Sequence, residues 1–277
     1  YVASIDQGTS STRCIVFNSS GGIVSSSNLE HEQFYPHPGW VEHDAEQIWE
    51  NVKTCVENAL VGASLEPSDL AAVGITNQRE STLVWDKNTG KPLHRLIVWN
   101  DIRTESICRE LKSDGGADRF RERTGLPVSP YFSATKLLWL RKNVSGLQEA
   151  AEKGDAFFGT MDSYLVWKLT GGKLHITDVT NASRTLLMSI NGLHWDKSIL
   201  EELRHASLPC MLPEIVSSSM VYGEADNEDR LLNGVKIAGI LGDQQAALFG
   251  QTCFDAGQAK CTYGTGSFIL MNTGNDV

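Results

Sequence analysis

Near the start of the chain, "ASIDQGTSSTRCIVFNSSGGIV", residues 3 to 24, runs from an apolar stretch to an acid, through one glycine and four consecutive hydroxyl residues to an arginine, and back into apolar sequence. Residues 2–6 and 13–17 read as two strands joined by that polar loop, because apolar and β-branched residues flank Gly8 on both sides. Gly8 permits close backbone approach, Thr9, Ser10, Ser11 and Thr12 are compact donors, and Arg13 adds a permanent planar cation. Such a loop can wrap a phosphate. Asp6 beside it is explained by Mg2+, which neutralises carboxylate and phosphate together. The loop is not of the Walker A kind, since G-x-x-x-x-G-K-[ST] appears nowhere in the sequence.

The rest of the chain must supply a sheet for this hairpin. In "HDAEQIWENVKTCVENALVGA", Ile48, Val52, Cys55, Val56, Ala59 and Leu60 fall on one helical face, with Asp44 as N-cap and Gln47 as its capping-box partner. "LAAVGITNQRE" reads as a buried strand ending in Arg79 and Glu80, and "VKIAGI" as another that stops at Asp243. "STLVWDKNTGKPLHRLIVWND" reads as two strands around an Asn-Thr-Gly turn, helices are expected near 102–113 and 133–143, and Asp162 is expected to cap another through Leu169. Strands alternating with helices make an α/β protein, and in an open α/β sheet ligands gather beyond the carboxyl ends of the strands. Asp6, Arg79 with Glu80, and Asp243 should therefore converge. A solvated strand end for Arg79 and Glu80, and a plain helix cap for Asp243, are the competing readings. "KCTYGTGSFILMN", residues 260 to 272, repeats the opening pattern of strand, Gly-Thr turn and strand, which suggests a duplicated architecture whose second half is cut short.

Composition narrows the partners. A formal charge of −10, from 24 basic and 34 acidic side chains, argues against nucleic acid. No apolar run approaches the roughly 18 residues of a membrane span. The six cysteines form no C-x-x-C pair, which disfavours zinc and redox motifs and suits a reduced cytoplasmic compartment. No secretory signal is evident, although Tyr1 is not an initiator methionine, so an upstream address stays open. His31, His37 and His43 are read as surface-loop residues, and Trp139 and Trp167 as core.

Taken in order, "DQGTSSTR", "PGWVEHD", "GITNQRE", "TGKPL", "IVWNDIRT", "PYFSATK", "TDVTNASRT", "GDQQAALFGQ" and "TYGTGSF" span essentially the whole chain. Together they resemble the glycerol kinase family, within the FGGY group of carbohydrate kinases and the wider actin/hexokinase-like, ribonuclease H-like ATPase fold. The resemblance implies ATP-dependent phosphorylation of glycerol to sn-glycerol 3-phosphate with Mg2+, and Asp243 as general base. It assigns Thr9, Ser10, Ser11 and Arg13 to one phosphate loop and Gly264, Thr265 and Gly266 to a second. Arg79, Glu80, Tyr131, Asp243 and Gln244 become polyol ligands, Trp99 and Phe268 apolar walls, and Asp6 and Asp243 metal ligands. A complete first domain over 1–250 and the opening of a second over 251–277 follow, since family members are about twice this long and the adenine pocket lies largely in their other half. "EADNEDRLLNGV" lacks the glycine-rich basic loop with which some bacterial members bind fructose 1,6-bisphosphate. A kinase of another polyol or ketose, or a non-catalytic polyol-binding fragment, is the alternative. The oligomeric state stays open, a homo-oligomer included.

Overall fold

The computed structural model describes residues 1–203, 208–264 and 266–275. A six-stranded sheet organises them, in the order Ser219–Glu224, Lys236–Gly242, Ala72–Asn77, Val2–Gln7, Ser11–Phe17, Ile23–Glu30. Lys236–Gly242, Ala72–Asn77 and Val2–Gln7 run parallel, with Gln7 opposite Asn77 and Asn77 opposite Gly242. Three carboxyl ends therefore lie side by side. The flanking strands pair antiparallel.

Burial alternates along Val2–Gln7, so that Ala3, Ile5 and Gln7 face inward. With Cys14, Val16, Val73 and Ile75 they share a core with the helix Ala45–Ala63. That helix turns Ile48, Val52, Cys55, Val56, Ala59 and Leu60 inward, and full burial of each large aliphatic chain contributes about 1.5–3 kcal/mol. Asp44 caps it, its Oδ1 accepting from the amides of Glu46 and Gln47 at 2.9 and 3.2 Å. Gln47 does not complete a capping box: its Oε1 accepts from the Glu32 amide at 2.9 Å and so ties the helix to the end of the Ile23–Glu30 strand.

A second core gathers Val84, Ile97, Phe120, Leu137, Leu140 and Phe158 between the helices Glu105–Ser113 and Ser133–Asn143 and the strand pair Leu83–Asp86 with Ala156–Gly159. The strands expected on either side of Asn88-Thr89-Gly90 exist and meet through antiparallel bridges at Thr82–Ile97 and Trp85–Pro92, while Leu83–Asp86 also pairs with Ala156–Gly159 and Leu96–Ile97 with Glu42–His43. The turn is closed locally, by Asp86 Oδ1 accepting from the Asn88 and Thr89 amides. Thr160, not Asp162, occupies the cap of the helix Met161–Leu169.

His31 and His43 are buried rather than on a surface loop, their rings in edge contact at 4.5 Å. The chain after Glu30 returns beneath the first Gly-Thr turn, where the His31 amide donates to Ser10 O at 3.2 Å and Gln33 Nε2 to Thr9 O at 3.0 Å. Burial pushes the His43 imidazole down to about 3. Among the described residues no group of three or more His, Cys, Asp or Glu could hold a metal ion, and no helix is long and apolar enough to cross a membrane. Ala259–Tyr263 and Ser267–Met271 form a separate hairpin beside the helix Asp243–Gly250.

Candidate active site

The three parallel strand ends open into a cavity of about 120 Å³. Its lining is Thr9, Ser10, Arg79, Glu80, Trp99, Tyr131, Asp243, Gln244, Thr262, Gly264, Gly266 and Phe268. Every residue singled out for the polyol is thus on one wall or another, together with the tip of the first Gly-Thr turn and with Gly264 and Gly266. Ser11 and Arg13 are not among the lining residues, because the first turn is tighter than its polar sequence suggests. Gly8 N donates to Ser11 O at 2.9 Å, leaving only Thr9 and Ser10 at the tip, and Ser11–Phe17 is already strand. Thr12 consequently points into the core, while Arg13 lies exposed on the strand opposite Asp6. Thr265 lies outside the described residues. Asp6 stands half-buried one position before the end of its strand.

Arg79 and Asp243 meet across neighbouring strand ends, with Nε 3.2 Å from Oδ1. Arg79 also donates through Nη1 to Gln245 Oε1 at 3.2 Å, and its guanidinium lies 6.0 Å from the Phe268 ring centre. Gly242 makes this approach feasible, since a Cβ there would sit 2.6 Å from Arg79 Cδ. Asp243 is the first residue of its helix, behind Gly242 at the cap, and its Oδ1 accepts from the Gln244 amide at 2.7 Å. Glu80 adopts a left-handed backbone (φ 62°), a strained choice for a residue with a side chain. Its carbonyl is held there by Thr82 and Ser133 hydroxyls, both donating at 3.0 Å, and its carboxylate by Arg184 Nε at 2.5 Å.

Trp99 joins the parts. Its Nε1 donates to Thr9 Oγ1 at 2.9 Å, and its ring makes edge contacts with Tyr131 at 5.6 Å and Phe268 at 5.8 Å. Polar groups on one side and aromatic faces on the other form a surface suited to a small molecule bearing hydroxyls on a short carbon chain.

Burial pushes the carboxyls of Asp243 and Glu80 above the ordinary range, against the pull of Arg79 on both. Asp6 is raised by burial too, with Arg13 lowering it and the Asp243 charge raising it. Tyr131 is pushed up to about 12, first by burial and then by Glu80. Clustered carboxyls of this kind attract a proton or a cation.

Three cations around the cavity, Arg184, Lys136 and Lys260, lie within the quoted motifs without a role assigned there. Arg184 clamps Glu80. Lys136, wholly buried, donates to the carbonyls of Pro130 and Tyr131 at 2.6 and 2.8 Å and so fixes the turn presenting Tyr131; burial lowers its ammonium to about 8. Lys260 binds Gln244 Oε1 and Thr262 Oγ1, which holds the hairpin onto the helix.

Residues 1–250 match the model of the N-terminal domain of the FGGY family of carbohydrate kinases. The glycerol kinase of Chloroflexus aurantiacus is 56% identical over 278 residues, covering 99% of this chain and 55% of that protein. Glycerol kinase 2 of Streptomyces coelicolor is 56% identical over 281 residues, covering 99% of this chain and 54% of its own length. Among solved structures, the Plasmodium falciparum glycerol kinase with ADP superposes with a TM-score of 0.94 at 40% identity, covering 100% of this chain and 55% of that one. A gluconate kinase from Lactobacillus acidophilus superposes at 0.83 with 22% identity, covering 97% and 53%, a likeness of fold alone. The α/β architecture is thus that of the actin/hexokinase-like ATPases. The chain spans about half the length of the curated relatives it matches.

Proposed function

The chain belongs to the FGGY family of carbohydrate kinases, and from that premise we propose that the protein transfers the γ-phosphoryl group of ATP to a terminal hydroxyl of glycerol, giving sn-glycerol 3-phosphate and ADP. One observation carries the reading: Arg79, Glu80, Asp243 and Gln244 converge with Trp99, Tyr131 and Phe268 on a single small cavity that Thr9, Ser10, Gly264 and Gly266 also line. Arg79 donates to hydroxyl oxygens, Glu80 accepts hydroxyl protons, and the aromatic faces cover C–H groups. Asp243 takes the proton of the attacking hydroxyl, and Thr9, Ser10 and the Gly264–Gly266 turn receive phosphate oxygens. Phosphoryl transfer passes through a loose transition state, so alignment and charge neutralisation supply most of the catalysis.

Mg2+ suits the donors present. Asp6 and Asp243 are hard oxygen ligands close enough for the charge of one to raise the pKa of the other, and Mg2+ takes one or two carboxylates and completes its shell with water and phosphate. When bound it neutralises charge on the phosphates. Residues 1–250 act as the unit that supplies most of the polyol site and the first phosphate loop, and 251–277 open a second unit that adds Phe268 and the second phosphate loop.

The test is ADP release with glycerol, dihydroxyacetone, xylulose or gluconate as acceptor, using the protein extended to the full length of its relatives. Glycerol should give the highest kcat/KM. A preference for xylulose or gluconate would replace glycerol with another polyol or sugar acid, and ATP turnover indifferent to every acceptor would remove the kinase reading.

A further inference from the structure

We propose that the segment Asp178–Thr185, which the substrate and phosphate roles leave unused, is a brace that sets the two halves of the site in register, with Thr180 as the positioning residue for Asp243. The proposal rests on the reading of Asp243 as general base. Asp178 is fully buried at the junction of the strand Ile176–Asp178 and the helix Val179–Ala182. Its Oδ2 accepts from the amide and hydroxyl of Thr180 at 2.9 and 2.6 Å and from the Ser218 hydroxyl at 2.7 Å, while Oδ1 takes the amide and Nδ2 of Asn181 at 3.0 and 2.9 Å. With its proton committed to Asp178, Thr180 Oγ1 is left as an acceptor. It receives the amide of Gly242, the residue before Asp243, at 2.8 Å.

The same segment holds the neighbouring strand end. Asn181 and Asn77 exchange two amide hydrogen bonds, both 3.0 Å, two residues before Arg79, and Arg184 holds Glu80. A cap that served only its own short helix would stop at the amides of Thr180 and Asn181. This one is carried outward to Gly242, Asn77 and Ser218. The sheet alone cannot set this geometry, for two reasons. Asn77 opposite Gly242 is the last pair of the ladder between the two strands, and an irregularity between Ile237 and Gly239 breaks the register upstream. Beyond that last pair, the separation of Arg79 from Asp243 depends on side-chain contacts, and the brace grips both strands there. Phosphoryl transfer is sensitive to sub-ångström alignment of its base, so loosening the Gly242 amide should be felt in turnover more than in substrate binding.

The experiment uses the protein extended to its relatives' full length, with Thr180→Val and Thr180→Ala removing the hydroxyl and Thr180→Ser keeping it. Both hydroxyl-less variants should lower kcat about five- to tenfold, the effect of one neutral hydrogen bond, with glycerol KM within about twofold of the parent. Thr180→Ser should restore kcat, and hydrogen exchange of the Gly242 amide should be faster in Val and Ala and parental in Ser. Added to Asp243→Asn, Thr180→Ala should cost little further, because Thr180 acts through Asp243. Parental kcat in folded Thr180→Ala, a glycerol KM that rises while kcat holds, or full additivity in the double variant would overturn the brace. If Asp243→Asn alone leaves kcat at the parental value, the base reading fails instead, and amide exchange with serine rescue still judges the contact.

Discussion

Arg79 and Asp243 hold each other at the mouth of the cavity, and the chemistry of each depends on the other. Asp243 is raised by burial and restrained by the Arg79 cation. In its proposed role as general base Asp243 works deprotonated, so turnover should climb as pH rises through an acid limb lying above the ordinary carboxylate range. Asp243→Asn should abolish that limb and lower kcat by roughly 10² or more, with a smaller effect on glycerol binding. A pH–rate profile of the two proteins decides this, and a variant within a few-fold of the parent would end the assignment. Arg79→Ala removes the guanidinium fork at a cost on the order of 1.5–3 kcal/mol for a charge-assisted hydrogen bond, so glycerol KM should rise while ATP KM holds. Steady-state kinetics in both substrates separates the sites. A shift confined to ATP would move Arg79 to the nucleotide side. The same loss takes the counter-charge from Asp243, so the acid limb of Arg79→Ala should move to still higher pH.

At the level of elements, the convergence of three strand ends could be read from the sequence because each buried run stops at a polar residue, and parallel neighbours in an α/β sheet end on the same side. Pairing partners could not, since Leu83–Asp86 finds Ala156–Gly159 far along the chain and nothing local announces it. The first loop is shorter than its polar sequence suggests for a physical reason: hydroxyl residues suit a turn, but Ser11 and Thr12 serve equally well in a strand once Gly8 has closed the bend. His31 and His43 look like loop residues until tertiary packing buries them under that turn. Asp162 is a similar case, a presumed cap that is instead sealed inside, accepting from Thr160 and Thr177 hydroxyls at 2.5 and 2.7 Å. Burial, with Asp178 nearby, pushes it to about 7. The folded chain then binds this proton more tightly than the unfolded chain, so its contribution to stability is full below the unfolded carboxyl range and is lost as pH rises through about 7. Urea denaturation of residues 1–277 and of Asp162→Asn between about pH 4 and 8 should show a decline in the parent that the variant flattens. Parallel curves would mean that Asp162 stays ionised throughout.

At the scale of the molecule, one group of exposed apolar side chains lies where the hairpin meets the helix Asp243–Gly250. Phe249 and Phe254 lie edge to face at 5.1 Å and are both exposed, and Ile269 and Met271 stand outward from the second hairpin strand. A two-stranded hairpin is marginal by itself, and the contacts that tie this one to the rest of the described residues include Lys260 on Gln244 and the rings of Phe268 and Trp99. Among the described residues no further strand pairs with its outer edges, which leaves them a template for another strand. An enzyme that transfers a phosphoryl group must close its site against water, and the chain spans about half the length of the curated relatives it matches. Residues 1–277 expressed alone should therefore fold through the six-stranded sheet, bind glycerol weakly, form no ADP in its presence, and self-associate through the hairpin. The measurements are a glycerol-dependent ADP assay on material free of full-length kinase, light scattering, and amide exchange over residues 258–271. Phe254→Ser with Ile269→Thr should reduce association without touching the cavity wall. Turnover near that of a full-length relative, or a monomer whose hairpin is strongly protected from exchange, would show that the first unit holds this segment and completes the chemistry unaided.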